Sequence, residues 1–288
     1  MSQKPSCLTS RRHFIKSSGI TALSAPFVTS GLLADPPSER LRHASFGASG
    51  MAGADIGSLS RSKHFELAAV ADVDLKRAES IRKRFPKAKF YQDWRELLDK
   101  ESKNIDSVNV STPDHMHGPI GLAAMDLGKH CYGQKPLAQN LRECRAMAEM
   151  ARKNKLMTQM GIQISSAFTE RLVVSLVQSG AIGKVTRVHS FSSKKWGDMG
   201  PVPQKEDKIP EGFDWDLWLG VAKHRPYIAG YYHPGNWRKR RDFGTGTFGD
   251  MGCHIFSGWY RSLGLTSPLS VVSHGPASNE HNWAINAK

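Results

Sequence analysis

The run from Val108 to Leu137, VNVSTPDHMHGPIGLAAMDLGKHCYGQKPL, constrains this chain more than any other segment. Ile105 to Val110 is a short apolar strand, Thr112-Pro113 ends it, and Gly118 to Leu127 resumes at helical spacing with Ile120, Ala123, Ala124 and Leu127 on one stripe. A second strand, His130 to Tyr132, and a Gln134-Lys135-Pro136 turn follow. Strand, helix and strand in close succession form a parallel crossover, which places the chain in the α/β class. Ligands of such sheets sit beyond the carboxyl ends of the strands, so Thr112, Pro113 and the Gln134 to Pro136 turn are expected to line one cleft. Lys135 is therefore a candidate for chemistry; the alternative is an ordinary solvated loop lysine.

Upstream, LRHASFGASGMAGADI carries a strand into a glycine-rich turn and a helix, the shape of a dinucleotide-binding start. Gly47, Gly50 and Gly53 permit a tight turn and close backbone approach to a pyrophosphate, although a strict G-x-G-x-x-G read from Gly47 meets Ser49 and Ala52 at its second and third positions. The strand Phe65 to Ala71 leads into Asp72, about 25 residues after Gly47, near the spacing at which an acid binds the adenosine ribose. Asp72 is alternatively a strand-ending cap. Further on, Asp250 and His254 in DFGTGTFGDMGCHIF share one face of a helix that starts near Thr247. Such an acid and imidazole form a general acid/base pair or decorate a solvated helix. Trp237-Arg238 offers sugar stacking and hydrogen bonding, with Trp237 equally suited to a core.

Strands are expected near Ala44 to Phe46, Phe65 to Ala71, Ile105 to Val110, His130 to Tyr132 and Leu156 to Met160, with later helices at Arg142 to Asn154 and Ser166 to Val177. VTRVHSF after Lys184 reads as a strand opening a second domain, residues 194–213 as a surface loop, and Trp283 to Ala287 as a further strand.

These segments together resemble the glucose-fructose oxidoreductase, inositol dehydrogenase and MocA group of sugar-acting oxidoreductases. The resemblance rests on the turn at Gly47, VADVD at Val70 to Asp74, TPDHMH at Thr112 to His117, GQKPL, SGAIGKV at Ser179 to Val185, WDLWLG at Trp215 to Gly220, and DMGCH, in that order. It implies an N-terminal Rossmann domain over 35–162 and an α+β domain over 163–288, whose open, mostly antiparallel sheet carries the substrate site and mediates homo-oligomers. It implies that Lys135 contacts nicotinamide and substrate, that His254 is the acid/base with Asp250 beside it, and that Asp72 holds the ribose, favouring NAD over NADP. The implied cofactor contacts are Gly47, Ser49, Gly50, Met51, Asp72, Thr112, Pro113, His117 and Gln134. Those to a sugar or cyclitol are Lys135, Gln163, Trp237 and Arg238.

The chain departs from that group in three ways. Gln134 stands where a glutamate usually precedes the Lys-Pro step, removing a charge expected to pair with Lys135. Ser49 adds a side chain where glycine is usual, and the chain stops at Lys288, where members of the group continue, so truncation is expected.

Ser10-Arg11-Arg12-His13-Phe14-Ile15-Lys16 fits a twin-arginine export signal, and the weakly apolar stretch after it, broken by Pro26 and Gly31, makes a poor membrane span. A leader over 1–34 and a periplasmic or otherwise exported protein are expected, with a cofactor retained from the cytoplasm. The formal net charge of +14 becomes +10 without that leader. Basic runs such as Arg238 to Arg241 lack interleaved stacking aromatics, which argues against nucleic acid. Of 4 cysteines, Cys131, Cys144 and Cys253 lie after the leader and offer no disulfide framework; no tight Cys/His spacing suggests a metal. The expected activity is NAD(P)-dependent oxidation of a sugar or cyclitol hydroxyl, with redox-assisted glycoside cleavage or non-catalytic nucleotide and sugar binding as alternatives.

Overall fold

Six short strands form one fully parallel sheet in the order β3-β2-β1-β4-β5-β6. The computed structural model describes residues 39–286, so the expected leader lies outside the described residues. The strands are β1 (Leu41–Phe46), β2 (Phe65–Ala71), β3 (Lys89–Tyr91), β4 (Ser107–Val110), β5 (His130–Gly133) and β6 (Thr158–Met160). Between them run α1 (Met51–Leu59), α2 (Leu75–Arg84), α3 (Trp94–Glu101), α4 (His117–Asp126) and α5 (Leu141–Lys153). The strand order reverses direction between β1 and β4, which opens a crevice beyond their carboxyl ends.

Burial explains why these segments fold as they do. β4 is buried at all four residues, as a central strand covered on both faces must be. Ile56 of α1 and Ala78 and Ile81 of α2 pack on Leu67 and Val70. On a second core, Leu97 and Leu98 of α3, Ile120 and Ala124 of α4 and Met147 of α5 pack with Ala44, Phe46, Val108 and Val110. Burying each valine contributes roughly 1.5–3 kcal/mol. Side-chain oxygens of Asp74, Asp93 and Asn140 cap α2, α3 and α5, accepting from backbone amides that would otherwise lack partners. Leu127 does not extend the buried stripe of α4: the helix ends at Asp126 and Leu127 is exposed.

After β6 come α6 (Phe168–Gln178), α7 (Trp215–Leu219) and α8 (Gly246–Leu263). Phe213, Trp215, Trp218, Tyr227, Tyr232, Trp237 and Phe243 make a separate aromatic core. The expected strand at VTRVHSF is absent: 186–191 is exposed, and a strand needs a neighbouring segment to accept and donate its ladder bonds. Trp283 to Ala287 likewise forms no strand over its described residues; Asn282 makes an isolated antiparallel bridge to Arg240, and Trp283 N–H donates to Lys239. Extended pairing past β6 is confined, among the described residues, to this bridge and one between Asp74 and Phe213. None of the described helices is long and apolar enough to cross a membrane.

The second bridge matters for the cleft. Asp214 N–H donates to Val73 O (2.9 Å), Leu75 N–H to Gly212 O (3.0 Å), and His233 Nε2 meets Asp74 Oδ2 at 3.1 Å. A strap from 212 to 238 is thereby laid across the carboxyl end of β2.

Candidate active site

A cavity of about 220 Å³ opens at the reversal point of the sheet. Gly47, Ser49, Gly50, Met51, Asp72, Thr112 and Pro113 line it from the sheet side, and Trp218, His233, Trp237 and Arg238 from the strap. Gly47 has φ +99°, and a Cβ there would lie 2.8 Å from the Ser111 carbonyl oxygen, so the turn demands glycine. Gly50, at φ +59°, precedes α1 without a side-chain cap, so the first amides of this nine-residue helix lack a cap beside the cavity that Gly50 and Met51 line. Ser49 does not crowd this approach: its Oγ accepts from Arg77 Nε at 3.0 Å. Open helix amides and a close-packed glycine turn fit a dinucleotide pyrophosphate.

Asp72 holds this turn together. Its Oδ2 accepts from Ala48 N (2.8 Å) and its Oδ1 from Asp74 N (2.9 Å), so it is both a turn clamp and a wall of the cavity. Burial raises its pKa, against the lowering effect of those two amides. Each oxygen retains a lone pair for a ribose hydroxyl.

Lys135 is not a solvated loop lysine. Its Nζ donates to Asp250 Oδ1 (2.7 Å) and to the Asp250 carbonyl (3.0 Å), and both side chains are about one-tenth exposed. Arg238 Nε approaches the same Oδ1 at 3.4 Å, its guanidinium lying over Trp237 and Trp196. Asp250 therefore serves two cations rather than orienting the His254 ring. His254, one turn along α8, is half-buried; burial, then the charge of Lys135, lowers its pKa, while Asp250 and Glu170 oppose the shift. It borders a second cavity of about 340 Å³ between α6 and α8, with Glu170, Val173 and Trp259. Neither His254 nor the Lys135–Asp250 pair lines the first cavity; the pair meets its wall through Arg238, whose Nε lies 3.4 Å from Asp250 Oδ1.

Three expected contacts take other positions. Gln163 is exposed, its amide nitrogen 3.2 Å from Met51 Sδ at the start of α1. His117 is buried, its Nδ1 2.7 Å from Pro136 O and its Nε2 2.8 Å from Thr112 O, so it ties the two turns that flank the cleft and does not line the cavity. Gln134 is buried beneath Lys135, its amide on Asp55 and not on the ammonium. The charge partner of Lys135 is Asp250, so the amide at 134 leaves the lysine paired.

Sequence reasoning missed how TPDHMH pins the later chain. Asp114 Oδ2 accepts from Thr245 Oγ1 (2.8 Å) at the start of α8. His115, wholly buried against Trp218 and Phe243, has Nε2 3.2 Å from Trp218 O, and burial lowers its pKa to about 4. Met116 occupies the space where a Cβ on Gly220 would fall. The signal was the cluster of polar residues, Asp114, His115 and His117, between an apolar strand and an apolar helix.

Two family patterns match the chain: "Oxidoreductase family, NAD-binding Rossmann fold" over 41–162 and "Oxidoreductase family, C-terminal alpha/beta domain" over 168–286. Levoglucosan dehydrogenase of Pseudarthrobacter phenanthrenivorans is 26% identical over 127 residues, 44% of this chain and 32% of that protein. Alpha-N-acetylgalactosaminidase of Shewanella oneidensis is 26% identical over 206 residues, 61% of this chain and 44% of its own length. The chain thus spans less than half the length of these relatives. GenD2 from gentamicin A biosynthesis, solved in complex with NAD, shares the fold with a TM-score of 0.62 at 18% identity, over 85% of this chain and 60% of that one. With its six-stranded sheet, its glycine-turn cavity and both patterns matched in order, the chain belongs to the Gfo/Idh/MocA oxidoreductase family and carries its NAD-binding Rossmann fold.

Proposed function

We propose that the protein is an NAD(P)-dependent oxidoreductase acting on a secondary hydroxyl of a sugar or cyclitol. The observation that carries this reading is the Lys135–Asp250 ion pair, nearly buried, set beside an imidazole whose pKa is lowered. A bound nicotinamide supplies the hydride acceptor. Gly47, Gly50 and the first amides of α1 hold the pyrophosphate, and Asp72 the ribose. His254, neutral at pH 7, takes the hydroxyl proton at Nδ1 or Nε2, while the Lys135 ammonium stabilises the negative charge that develops on the substrate oxygen. Asp250 fixes that ammonium, and Arg238, lying over the buried ring of Trp237, offers a sugar hydrogen bonds. The test is reduction of nicotinamide dinucleotide, followed at 340 nm, across a panel of sugars and cyclitols. Binding of dinucleotide with no reduction by any of them argues for a non-catalytic binding protein.

Redox-assisted glycoside cleavage is a second reading, favoured by the similarity to an alpha-N-acetylgalactosaminidase over 206 residues. Release of aglycone without net reduction of the dinucleotide distinguishes it. Export by the twin-arginine route, with the cofactor retained and a homo-oligomer as the working form, is proposed from sequence alone. Retention of the precursor in the cytoplasm when Arg11 and Arg12 are both replaced by lysine is the expected result; unchanged export argues against it.

A further inference from the structure

We propose that Asp55, a buried carboxylate on α1, is a positioning residue for Lys135, acting through the side-chain amide of Gln134. The inference rests on the role given to Lys135 above. Gln134 Nε2 lies 3.1 and 3.0 Å from the two oxygens of Asp55, and Gln134 Oε1 accepts from the backbone N–H of Lys135 at 3.1 Å. Gln134 N–H also continues the sheet onto Val110 O (2.9 Å), and Gly161 leaves room for the amide, since a Cβ there would meet Gln134 Cδ at 2.9 Å. Side chain and backbone together therefore fix the residue before the lysine.

The direction of every bond follows from the carboxylate. Asp55 when ionised only accepts, so Ser111 Oγ–H donates to it (2.7 Å), and Ser111 Oγ in turn accepts from Asn109 Nδ2 (2.8 Å). That leaves Asn109 Oδ1 facing His43 Nε2 at 3.0 Å, which must donate, and His43 Nδ1 accepting from Ser107 Oγ–H at 2.7 Å. The chain itself requires only that Nε2 donate; it is burial, holding the His43 pKa down at about 4, that leaves Nδ1 without a proton and makes Ser107 the donor. Donors from β1 and β4 thus run one way and end on Asp55, as does the donor from the Gln134 turn. Flipping the Gln134 amide would set oxygen against carboxylate and NH2 against N–H, so the orientation is unique. A glutamate at 134 meets the same conflict. Asp55 and Gln134 are therefore a matched acceptor and donor, and neither works with the other's usual alternative.

The experiment is an exchange of roles in the full chain, using Asp55→Asn, Gln134→Glu and the double variant. In the double variant the amide introduced at position 55 accepts from Ser111 and donates to the carboxylate introduced at position 134. The other oxygen of that carboxylate accepts from Lys135 N–H, and a small side-chain rotation must part its first oxygen from the amide oxygen at position 55, since the atom at the Gln134 Nε2 position lies 3.0 Å from Asp55 Oδ2. Hydrogen exchange of residues 132–137 is read by mass spectrometry, with dinucleotide affinity and steady-state kinetics beside it. Each single variant is expected to exchange this segment at least about tenfold faster. In each, kcat should fall at least about tenfold while dinucleotide Kd and KM stay within about threefold. The double variant is expected to return to within about threefold of the parent in both. A double variant no better than the worse single one overturns the proposal, as do single variants that exchange like the parent; a single variant that fails to fold leaves the rescue to decide. If the parent binds dinucleotide but oxidises no sugar or cyclitol, the proposed reaction fails, while the exchange measurement still judges Asp55.

Discussion

Replacing Gln134 with glutamate changes one nitrogen for an oxygen, and the buried geometry makes that change expensive. The nitrogen lies 3.1 and 3.0 Å from the Asp55 oxygens, so the variant sets two carboxylates in contact. Two full charges about 3 Å apart repel by roughly 5 kcal/mol at an effective dielectric constant of about 20. Binding a proton costs less: holding a carboxyl of ordinary pKa about 4.3 neutral at pH 7 requires roughly 3.7 kcal/mol. Proton uptake therefore caps the loss at about 3–4 kcal/mol, and Asp55, whose pKa burial already raises, is the nearer acceptor. The folded-state pKa of the pair lies above its unfolded value, so the native state binds the extra proton and the variant loses stability as pH rises. Relative to the parent, the deficit should be about 1 kcal/mol at pH 5 and grow by about 1.4 kcal/mol per pH unit to pH 7. Urea unfolding followed by tryptophan fluorescence at pH 5, 6 and 7 measures it. A deficit under about 1 kcal/mol at pH 7, or one that does not change with pH, refutes the electrostatic account of Gln134.

Four further outcomes are expected. His254→Ala should lower turnover by about 10²–10⁴ with dinucleotide affinity unchanged; because the folded pKa of His254 is lowered from 6.5, the acid limb of oxidation in the parent should fall below pH 6.5, and a limb above it would contradict the assignment. Gly47→Ala meets the Ser111 carbonyl and carries positive φ, so a loss of at least about 1–3 kcal/mol and weaker dinucleotide binding should follow, whereas Gly50→Ala, with nothing within 4 Å, should lose about 1–3 kcal/mol from its φ and ψ of +59° and −122° alone; melting and dinucleotide titration compare them. His115 has a folded pKa of about 4, below its unfolded 6.5, so its stability contribution is lost as pH falls through that window; the deficit of His115→Phe in urea should shrink by about 2 kcal/mol between pH 7 and pH 5, and a constant deficit would count against a neutral buried ring. Asp72→Asn keeps one acceptor for two amides, so one is left unpaired at a loss of about 1–3 kcal/mol, and NAD and NADP binding should both weaken; unchanged binding of both would show the clamp to be dispensable.

Much of the sheet was readable because its strands are apolar runs ended by Gly, Pro or Asp. β2 matches its expected limits, and β1, β4, β5 and β6 differ only at their ends. β3 escaped notice: it is three residues long in a charged context and exists through pairing with β2. VTRVHSF failed for the opposite reason, since β-branched composition cannot supply a ladder partner. In the site, Lys135 and Asp250 were legible as residue types but not as partners, being 115 residues apart. Asp55 was invisible, because a single acid in a helix looks solvated until Ser111 and Gln134, 56 and 79 residues away, close over it.

The strap across β2 makes the cleft a joint product of distant chain. Asp74 and His233, in contact beside it, are 159 residues apart, and the cavity walls divide between Asp72 to Arg77 on one side and Leu217 to Arg238 on the other. A dinucleotide touching both walls recognises only the chain in which they have met. Its binding free energy is thus added to their docking, about 2.7 kcal/mol at a concentration 100-fold above Kd. A dinucleotide bound in this cavity would act as a rivet through two layers of the same polypeptide.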